Sequence, residues 1–442
     1  MNTTISKITA LFLAATMIFC MAPVVVNAQE DYTKLFGRSS LAKMGNGENL
    51  VEAYDTIVEG IEERLETIEL EDDININVDE LSLVMEAYFN DPHSHFWIDQ
   101  GYSYASYSSG KVAFLLPVYN SLAGKNEDEF EKNEDAFEDA CEDILKSSGV
   151  RNNMSDYEKE LRIHNELIKR VVYKESTNAH NAYGAAVEGI AVCQGYTLAF
   201  NYLLSLCGVQ AYTVHGISGG GPHCWSLVQI DGKYYHTDVT WADPVGGIDT
   251  GSDNDIFYSY FNVTDSVITR DHIITPASFP LPQCNSNDAS YYTNNPKTVF
   301  APEFTPEDMA RLYKDGMVRV YVEPSHFESF NAWLSSNAYS LFSLTGYDLT
   351  KPMSYSVTYL LDEYHVYLEG TRTEPEIAYV IGDMNGDESI DAKDSNLLLR
   401  IIAGSLTPNE EQTITGDING DGEINAKDSN LIKRIISGAL TA

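Results

Sequence analysis

The chain has 442 residues, 43% of them apolar and 21% charged, which is the make-up of a folded protein with room for several domains and not of a disordered or collagen-like polymer. Acids outnumber bases 66 to 28, for a formal net charge of -38. That balance argues against nucleic acid as a partner, because phosphate backbones are gripped by a basic face, and it leaves cation binding open.

Lys7 is the only charge among the first 28 residues, and the apolar run from Ile8 to Val26 ends in Val26-Asn27-Ala28, with small residues where a signal peptidase reads. Residues 1–28 are therefore predicted to be a signal peptide cleaved after Ala28. The alternative is an uncleaved anchor, since the run is near bilayer-spanning length. No later segment is long and apolar enough to span a membrane. Cys20 leaves with the leader, and Cys141, Cys193, Cys207, Cys224 and Cys284 remain. An odd, sparse set in an exported protein is no disulfide framework, so at least one thiol is expected to be free.

Residues 29–150 read as mostly helical. Apolar residues recur at helical spacing over Asn49–Leu70 and Val78–Phe89. Asp91-Pro92 then breaks the chain before His93, His95, Phe96 and Trp97, and an apolar strand is predicted over Val112–Tyr119. An acidic helix over 127–146 points Phe130, Phe137, Cys141 and Ile144 inward. Residues 155–175 form an amphipathic helix, and Gln194–Leu206 another, closed by Gly208. A strand, Ala211–His215, precedes a glycine-rich loop, Gly216–Pro222. His223–Ile230 and Lys233–Thr240 alternate around Asp231-Gly232, a two-residue hairpin signal. Residues 286–375 read as a small α+β domain: helices Pro306–Lys314 and Ser325–Leu334, a strand Val318–Val322, and two strands within Ser354–Leu368.

Residues 382–404 and 416–438 are a gapless internal repeat, identical at 16 of 23 positions. Asp383, Asn385, Asp387, Asp391 and Asp394 fall at positions 1, 3, 5, 9 and 12 of the first loop, and Asp417, Asn419, Asp421, Asn425 and Asp428 at the same positions of the second. Ser389 and Glu423, at position 7, offer backbone carbonyls. Calcium takes six to eight oxygens from a flexible loop, and this spacing supplies them, so two Ca2+ ions are expected. Position 12 is Asp where the general EF-hand has Glu, and Glu388 replaces the position-6 glycine in the first loop, which is expected to weaken that site. Paired loops of this kind, each with one following helix (Ser395–Ile402 and Ser429–Ile436), resemble a type I dockerin over about residues 380–442. That resemblance implies a cohesin module of a cellulosome scaffold as partner. Ala392, Lys393 and Arg400 in one half, and Ala426, Lys427 and Arg434 in the other, would make the contact in two rotated modes. The alternative for the lysines is ordinary surface charge.

A thiol nucleophile needs a base, and the base needs an orienting acceptor. Cys193 precedes a helix, where free amides and the helix dipole favour thiolate. If Ile230 pairs with Lys233 across the turn, Trp225 faces Asp238, and His223 lies two residues along on the same face. His223 and Asp238 are then diagonal neighbours, roughly 7–8 Å between backbones. Cys224 points to the opposite face and is expected to be buried. Cys207 lies roughly 21 Å along the helix from Cys193, too far for a disulfide. His236 is the rival base, sharing the face of Asp238; Ser226 is a rival nucleophile without a supporting motif. A zinc reading would use Cys193, His223, His236 and Asp238, but without a paired-ligand motif. His164, His180 and His215 are expected to be structural, and His93 and His95 to be surface or core residues or to line a cleft.

The segments Val187-Glu188-Gly189-Ile190-Ala191-Val192-Cys193-Gln194-Gly195-Tyr196, Gly221-Pro222-His223-Cys224-Trp225-Ser226 and Gly232-Lys233-Tyr234-Tyr235-His236-Thr237-Asp238 resemble the three motifs of the transglutaminase-like superfamily, in its order and spacing. The likeness spans about residues 155–265, with Ser226 where an Asn is common. It implies an α+β chain with a papain-like transglutaminase core, in which Cys193 is nucleophile, His223 base and Asp238 orienter, without a catalytic cofactor. The Cys193 N–H would be one oxyanion donor, and Tyr183 is a candidate for a second. The implied organisation is a leader (1–28), a helical N-terminal region (29–150), a catalytic core (151–285), a small α+β domain (286–375) and an all-α calcium-binding dockerin (376–442). The expected protein is a secreted, scaffold-docked cysteine enzyme, a peptidase, deamidase or transglutaminase, working on protein or peptide where plant polysaccharide is broken down. The competing readings are a catalytically silent protein- or glycan-binding module and a glycoside hydrolase, for which no carboxylate pair is marked.

Overall fold

The computed structural model describes residues 34–243, 256–314, 316–372, 382–386, 389–418 and 424–437. The leader expected over residues 1–28 lies outside them. The chain divides into two compact units: residues up to Leu341 together with Met353–Glu369, and Phe342–Pro352 together with the residues from Gly370 onward.

The first unit opens with helices α1 (Phe36–Leu41), α2 (Gly47–Glu62) and α3 (Val78–Asn90). Asn77 caps α3 through a reciprocal bond pattern with Glu80, which satisfies two otherwise unpaired donors at the helix start. The segment read as mostly helical also holds an antiparallel sheet, in the order β1 (Ile68–Glu69), β3 (Val112–Tyr119), β2 (Ile98–Ser106). The acidic helix α4 (Glu127–Ser148) buries Phe130, Phe137, Cys141 and Ile144. Helix α5 (Asp156–Arg170) stops five residues short of the expected end. Val172 and Tyr173, β-branched and aromatic, instead form the two-residue strand β4, pairing in parallel with β5 (Ile190–Ala191).

Helix α6 (Cys193–Leu206) then leads into a four-stranded sheet of order β8 (Lys233–Thr237), β7 (Gly221–Ile230), β6 (Ala211–Ser218), β9 (His272–Ile274). Ile230 pairs with Lys233, the register that the Asp-Gly turn calls for. Gly216, expected in a loop, lies inside β6. A Cβ there would meet the Trp225 ring at 2.7 Å and the Ile273 carbonyl at 2.2 Å, so this glycine serves close approach and not a turn. Only Gly219 and Gly220 turn the chain, both at positive φ.

The sheet buries both faces. Ala211, Val228 and Ile230 join Phe200, Leu203 and Leu204 of α6, Ile163 and Leu167 of α5, and Phe137 and Ile144 of α4 in one core. Tyr212, Val214, Trp225 and Leu227, alternate residues on the same strands, pack with Tyr54 and Ile57 of α2 and Val84 and Tyr88 of α3 in a second. Residues on both sides of position 150 therefore contribute to each core.

Beyond the short helix α7 (Val239–Ala242) and β9 come α8 (Pro306–Arg311), β10 (Tyr313–Lys314), β11 (Met317–Tyr321), α9 (Phe327–Leu344), β12 (Met353–Leu360) and β13 (Glu363–Gly370), with strand order β10-β11-β13-β12. Here α8 ends three residues earlier, and α9 starts two residues later and ends ten residues later, than the spacing suggested. Glu363, fully buried, ties this sheet to the segment after α7. It accepts from the Tyr258 N–H (2.6 Å), the Ser259 hydroxyl (3.0 Å) and His365 Nε2 (2.8 Å), and pairs with Arg319. Burial raises its carboxyl, but the bonds from His365 and the charges of His365 and Arg319 bring it below the usual range. Glu363→Gln takes the buried carboxylate away from Arg319 and His365 and is expected to cost roughly 3–5 kcal/mol. Thermal unfolding followed by circular dichroism checks this: a large fall in Tm is expected, and an unchanged Tm would contradict it.

The second unit holds α10 (Ala392–Ile402), α11 (Glu410–Gly416) and α12 (Ala426–Ile436). Met384, Leu398 and Ile432 form its small apolar centre.

Candidate active site

Cys193 is the first residue of α6, whose N-cap, Val192, makes no side-chain cap bond. The Cys193 N–H therefore has no intrahelical acceptor and is open to a ligand. Among the five free cysteines described, Cys193 alone is not buried. Thr197, one turn on, donates to the Cys193 carbonyl (2.8 Å) and takes the Cys224 thiol (3.8 Å), which pins the helix start to β7. Cys224 is buried as alternation requires, but it faces α6 and its thiol lies beside Cys193.

The hairpin brings His223 Nε2 to 2.7 Å from Asp238 Oδ2, with Asp238 wholly buried. Its other oxygen accepts the N–H groups of Thr240 (2.9 Å) and Trp241 (3.0 Å), so Asp238 also caps α7 and is held from three sides. The remaining nitrogen of His223 is left for Cys193. Trp225 stacks on the His223 ring at 5.9 Å.

The electrostatics follow from this geometry. Burial raises the Asp238 carboxyl, but the charge and hydrogen bond of His223, joined by a bond from His272, bring it down to about 2. Burial pushes His223 down, yet the Asp238 carboxylate and the Cys193 sulfur raise it to about 10. For Cys193, the neighbouring Cys224 thiol outweighs burial and, with the His223 ring, holds it at about 4. Cys224, buried beside that sulfur, moves the other way. Thiolate and imidazolium thus coexist between about pH 4 and about pH 10. Below that window Cys193 takes a proton, and above it His223 loses one. The rate of Cys193 alkylation by iodoacetamide is expected to stay nearly level across the window and to collapse below it. A rate that climbs tenfold per pH unit toward about pH 8.5, as for an ordinary thiol, would contradict this.

Sequence reasoning missed His272, on β9. Its Nε2 lies 3.1 Å from the same Asp238 oxygen that His223 uses, and its Nδ1 lies 2.7 Å from Asp271 Oδ1. It stands 34 residues beyond Asp238, and only the pairing of β9 with β6 brings it in; no spacing rule marks it. His236, the rival base, is committed elsewhere. It accepts from Trp225 Nε1 (3.0 Å), so its proton sits on Nε2 and goes to Asp265 Oδ1 (3.0 Å). That tautomer leaves no lone pair for a cation beside Asp265 and Cys284, although the three come within 4.8 Å of one another. The nitrogens of His223 and His272 and the Asp238 oxygen are similarly close, but they meet in direct hydrogen bonds.

Tyr183 packs on Phe96 (5.1 Å) and Phe137. His164 is buried, and that burial holds it down at about 4. His215 bonds Asn90 (2.7 Å) and His180 pairs with Glu175. Ser226 is fully buried. His93 and His95 stack at 5.1 Å and line a cavity of about 460 Å³ with Tyr88, Asn120, Asn181 and Gln194, the residue after Cys193.

In the second unit, Asp394 is fully buried and gathers the N–H groups of Met384 (2.9 Å), Asn385 (3.2 Å) and Asp391 (2.8 Å). Asp383 accepts from Gly386 (2.9 Å), and Asp391 caps α10 through Lys393 N–H. Asn425 caps α12 in the same way, and Asp428 accepts from Asn425 N–H (2.9 Å). Asp387, Asn419, Asp421 and Glu423 lie outside the described residues. The first loop's side chains that are described, three carboxylates and an amide, are hard oxygen donors and fit calcium's chemistry. Ala392, Lys393, Arg400, Ala426, Lys427 and Arg434 are all exposed.

Two family models match the chain: the transglutaminase-like superfamily over residues 145–239 and the dockerin type I domain over residues 381–437. A comparison with curated proteins finds no match. Among solved structures, a transglutaminase is similar at 15% identity and a TM-score of 0.24, covering 41% of this chain and 52% of its own. A candidate cysteine protease from Cytophaga hutchinsonii is similar at 16% identity and a TM-score of 0.21, covering 34% and 63%. The chain thus spans about half the length of the first and less than two thirds of the second. Among the described residues, no helix is long and apolar enough to cross a membrane.

Proposed function

We propose that this chain, a transglutaminase-like core carried with a type I dockerin, is an exported thiol enzyme that acts on amide bonds of proteins or peptides while docked on a cellulosome scaffold. The observation that carries the reading is the buried His223–Asp238 bond at 2.7 Å, with His223 also interacting with Cys193, which alone among the described cysteines is not buried. In this reading Cys193 is the nucleophile. Its sulfur attacks the amide carbonyl, and the helix-start N–H faces the oxyanion. His223 gives its proton to the departing amine, which leaves a thioester on Cys193. Water, deprotonated by His223, releases an acid; an incoming primary amine would instead give a new amide. Asp238 keeps the imidazolium oriented and compensated. The resemblance favours hydrolysis.

The dockerin would hold two Ca2+ ions, one in each Asp383–Asp394 and Asp417–Asp428 loop, and present Lys393, Arg400, Lys427 and Arg434 to a cohesin. Type I dockerins bind calcium and imply a cohesin partner, which supports the reading of an extracellular enzyme working where plant polysaccharide is degraded.

Mass spectrometry of a peptide and wall-protein pool, with a primary amine added, tests the activity. Shortened peptides, deamidated Gln or amine adducts that require Cys193 would support the reading and name its branch. Identical pools from the intact protein and Cys193→Ala would overturn it in favour of a silent binding module.

A further inference from the structure

We propose that His272 is a positioning residue of this site: clamped between Asp238 and Asp271, it sets the charge against which His223 works. The inference rests on the thiol-enzyme reading above. Asp238 Oδ2 receives two imidazoles, His223 at 2.7 Å and His272 at 3.1 Å, while its other oxygen is filled by backbone N–H groups. The second nitrogen of His272 faces Asp271 Oδ1 at 2.7 Å, and Asp271's other oxygen accepts from the Tyr260 hydroxyl. A ring that donates from both nitrogens to carboxylates carries a positive charge. The His272 side chain has no exposed surface. Its walls are the rings of Trp225, Trp241 and Tyr260, at 5.0, 5.4 and 5.1 Å.

The local fold is built to bring the two histidines together. His223 on β7 and His272 on β9 flank β6, opposite Gly216 and Ser218, two residues apart on one face of that strand. The rings end 5.5 Å apart. The charged or titratable groups facing His272 are Asp238, Asp271, His223 and Tyr260. Cys193 stands behind His223, and Arg270, close to Tyr260, is neutralised by Asp362.

An imidazolium at this distance opposes the charge on His223 and takes part of the Asp238 carboxylate's pull for itself. His223 is thereby kept acidic enough to hand its proton to the leaving amine, and the Cys193 thiolate is favoured. Remove that charge and both effects reverse: His223 holds its proton to higher pH, and Cys193 takes one up sooner as pH falls.

The test is the pH profile of Cys193 alkylation by iodoacetamide, which needs no knowledge of the substrate. In His272→Gln the low-pH limb is expected to move upward by about one pH unit. In Asp271→Asn, which withdraws one of the two carboxylates that His272 meets, it should move in the same direction and less. Asp271 is a third exposed, so this variant serves if His272→Gln does not fold. Profiles that superimpose on the unmodified protein in folded variants would overturn the inference, and so would loss of cooperative unfolding in both variants, which would make His272 purely structural. A flat failure of the unmodified protein to alkylate at low pH would instead overturn the thiol-enzyme reading itself.

Discussion

Cys193→Ala is expected to abolish turnover, a loss of about a thousandfold or more, with no change in the melting temperature of the first unit. The side chain sits partly buried at the start of α6 and belongs to neither core, so its removal opens no cavity in them. What is lost is, among the described cysteines, the one thiol placed at a helix start beside a base. His223→Ala should cost nearly as much, and the double variant little more than either single one, because the two act as a unit. Cys193→Ser is expected to fail as well: a hydroxyl beside the same imidazole keeps its proton where the thiol gives it up. Turnover on any peptide surviving Cys193→Ala within tenfold would move the chemistry elsewhere.

Calcium removal is expected to have the second large effect, and on the other unit. Asp394 and Asp428 are fully buried, and a buried carboxylate draws its compensation from a cation or from backbone N–H groups. With a chelator, the acidic loops would be left with several carboxylates converging and only neutral donors, such as the N–H groups that Asp394 gathers, to offset them. Metal binding and folding are then one event, worth about 4 kcal/mol where free calcium stands a thousandfold above its dissociation constant. Circular dichroism should show a low-temperature transition that vanishes on readdition of calcium, and Asp394→Ala should mimic the chelator. Alkylation of Cys193 should be unaffected by either change. A melt indifferent to calcium would contradict the loop assignment, and loss of Cys193 reactivity on chelation would contradict the separation of the two roles.

The part of the site that local rules govern was legible in the sequence. The Asp-Gly turn set the register of β7 and β8, and the count from Ile230 and Lys233 carried His223 to the side of Asp238. Helix-start reasoning marked Cys193 in the same way. What lay beyond reach depends on pairings between distant strands. His272 enters through β9, three residues long and paired with β6 over a sequence gap of more than fifty residues. The nearness of Cys224 to Cys193 ran against strand alternation taken alone, because alternation names a face and not what covers it; α6 covers that face. Gly216 was taken for a loop residue since its run of glycines imitates a turn, whereas the crowding of Trp225 explains it. Residues 286–375 carried no chemical signal, and their link to the site runs through the buried Glu363. It fixes Tyr258 and Ser259, and the Tyr260 carbonyl next in line accepts the Asp238 N–H at 3.1 Å.

Site-resolved alkylation at about pH 5 is the most direct test that Cys193 is the working thiol. The folded, calcium-loaded protein is treated briefly with iodoacetamide, and each cysteine peptide is weighed. The expected result is a modified Cys193, with Cys141, Cys207, Cys224 and Cys284 untouched, and loss of that labelling in His223→Ala. No labelling of Cys193 at that pH, or labelling that His223→Ala leaves unchanged, would contradict the thiolate–imidazolium pair on which the proposed chemistry depends.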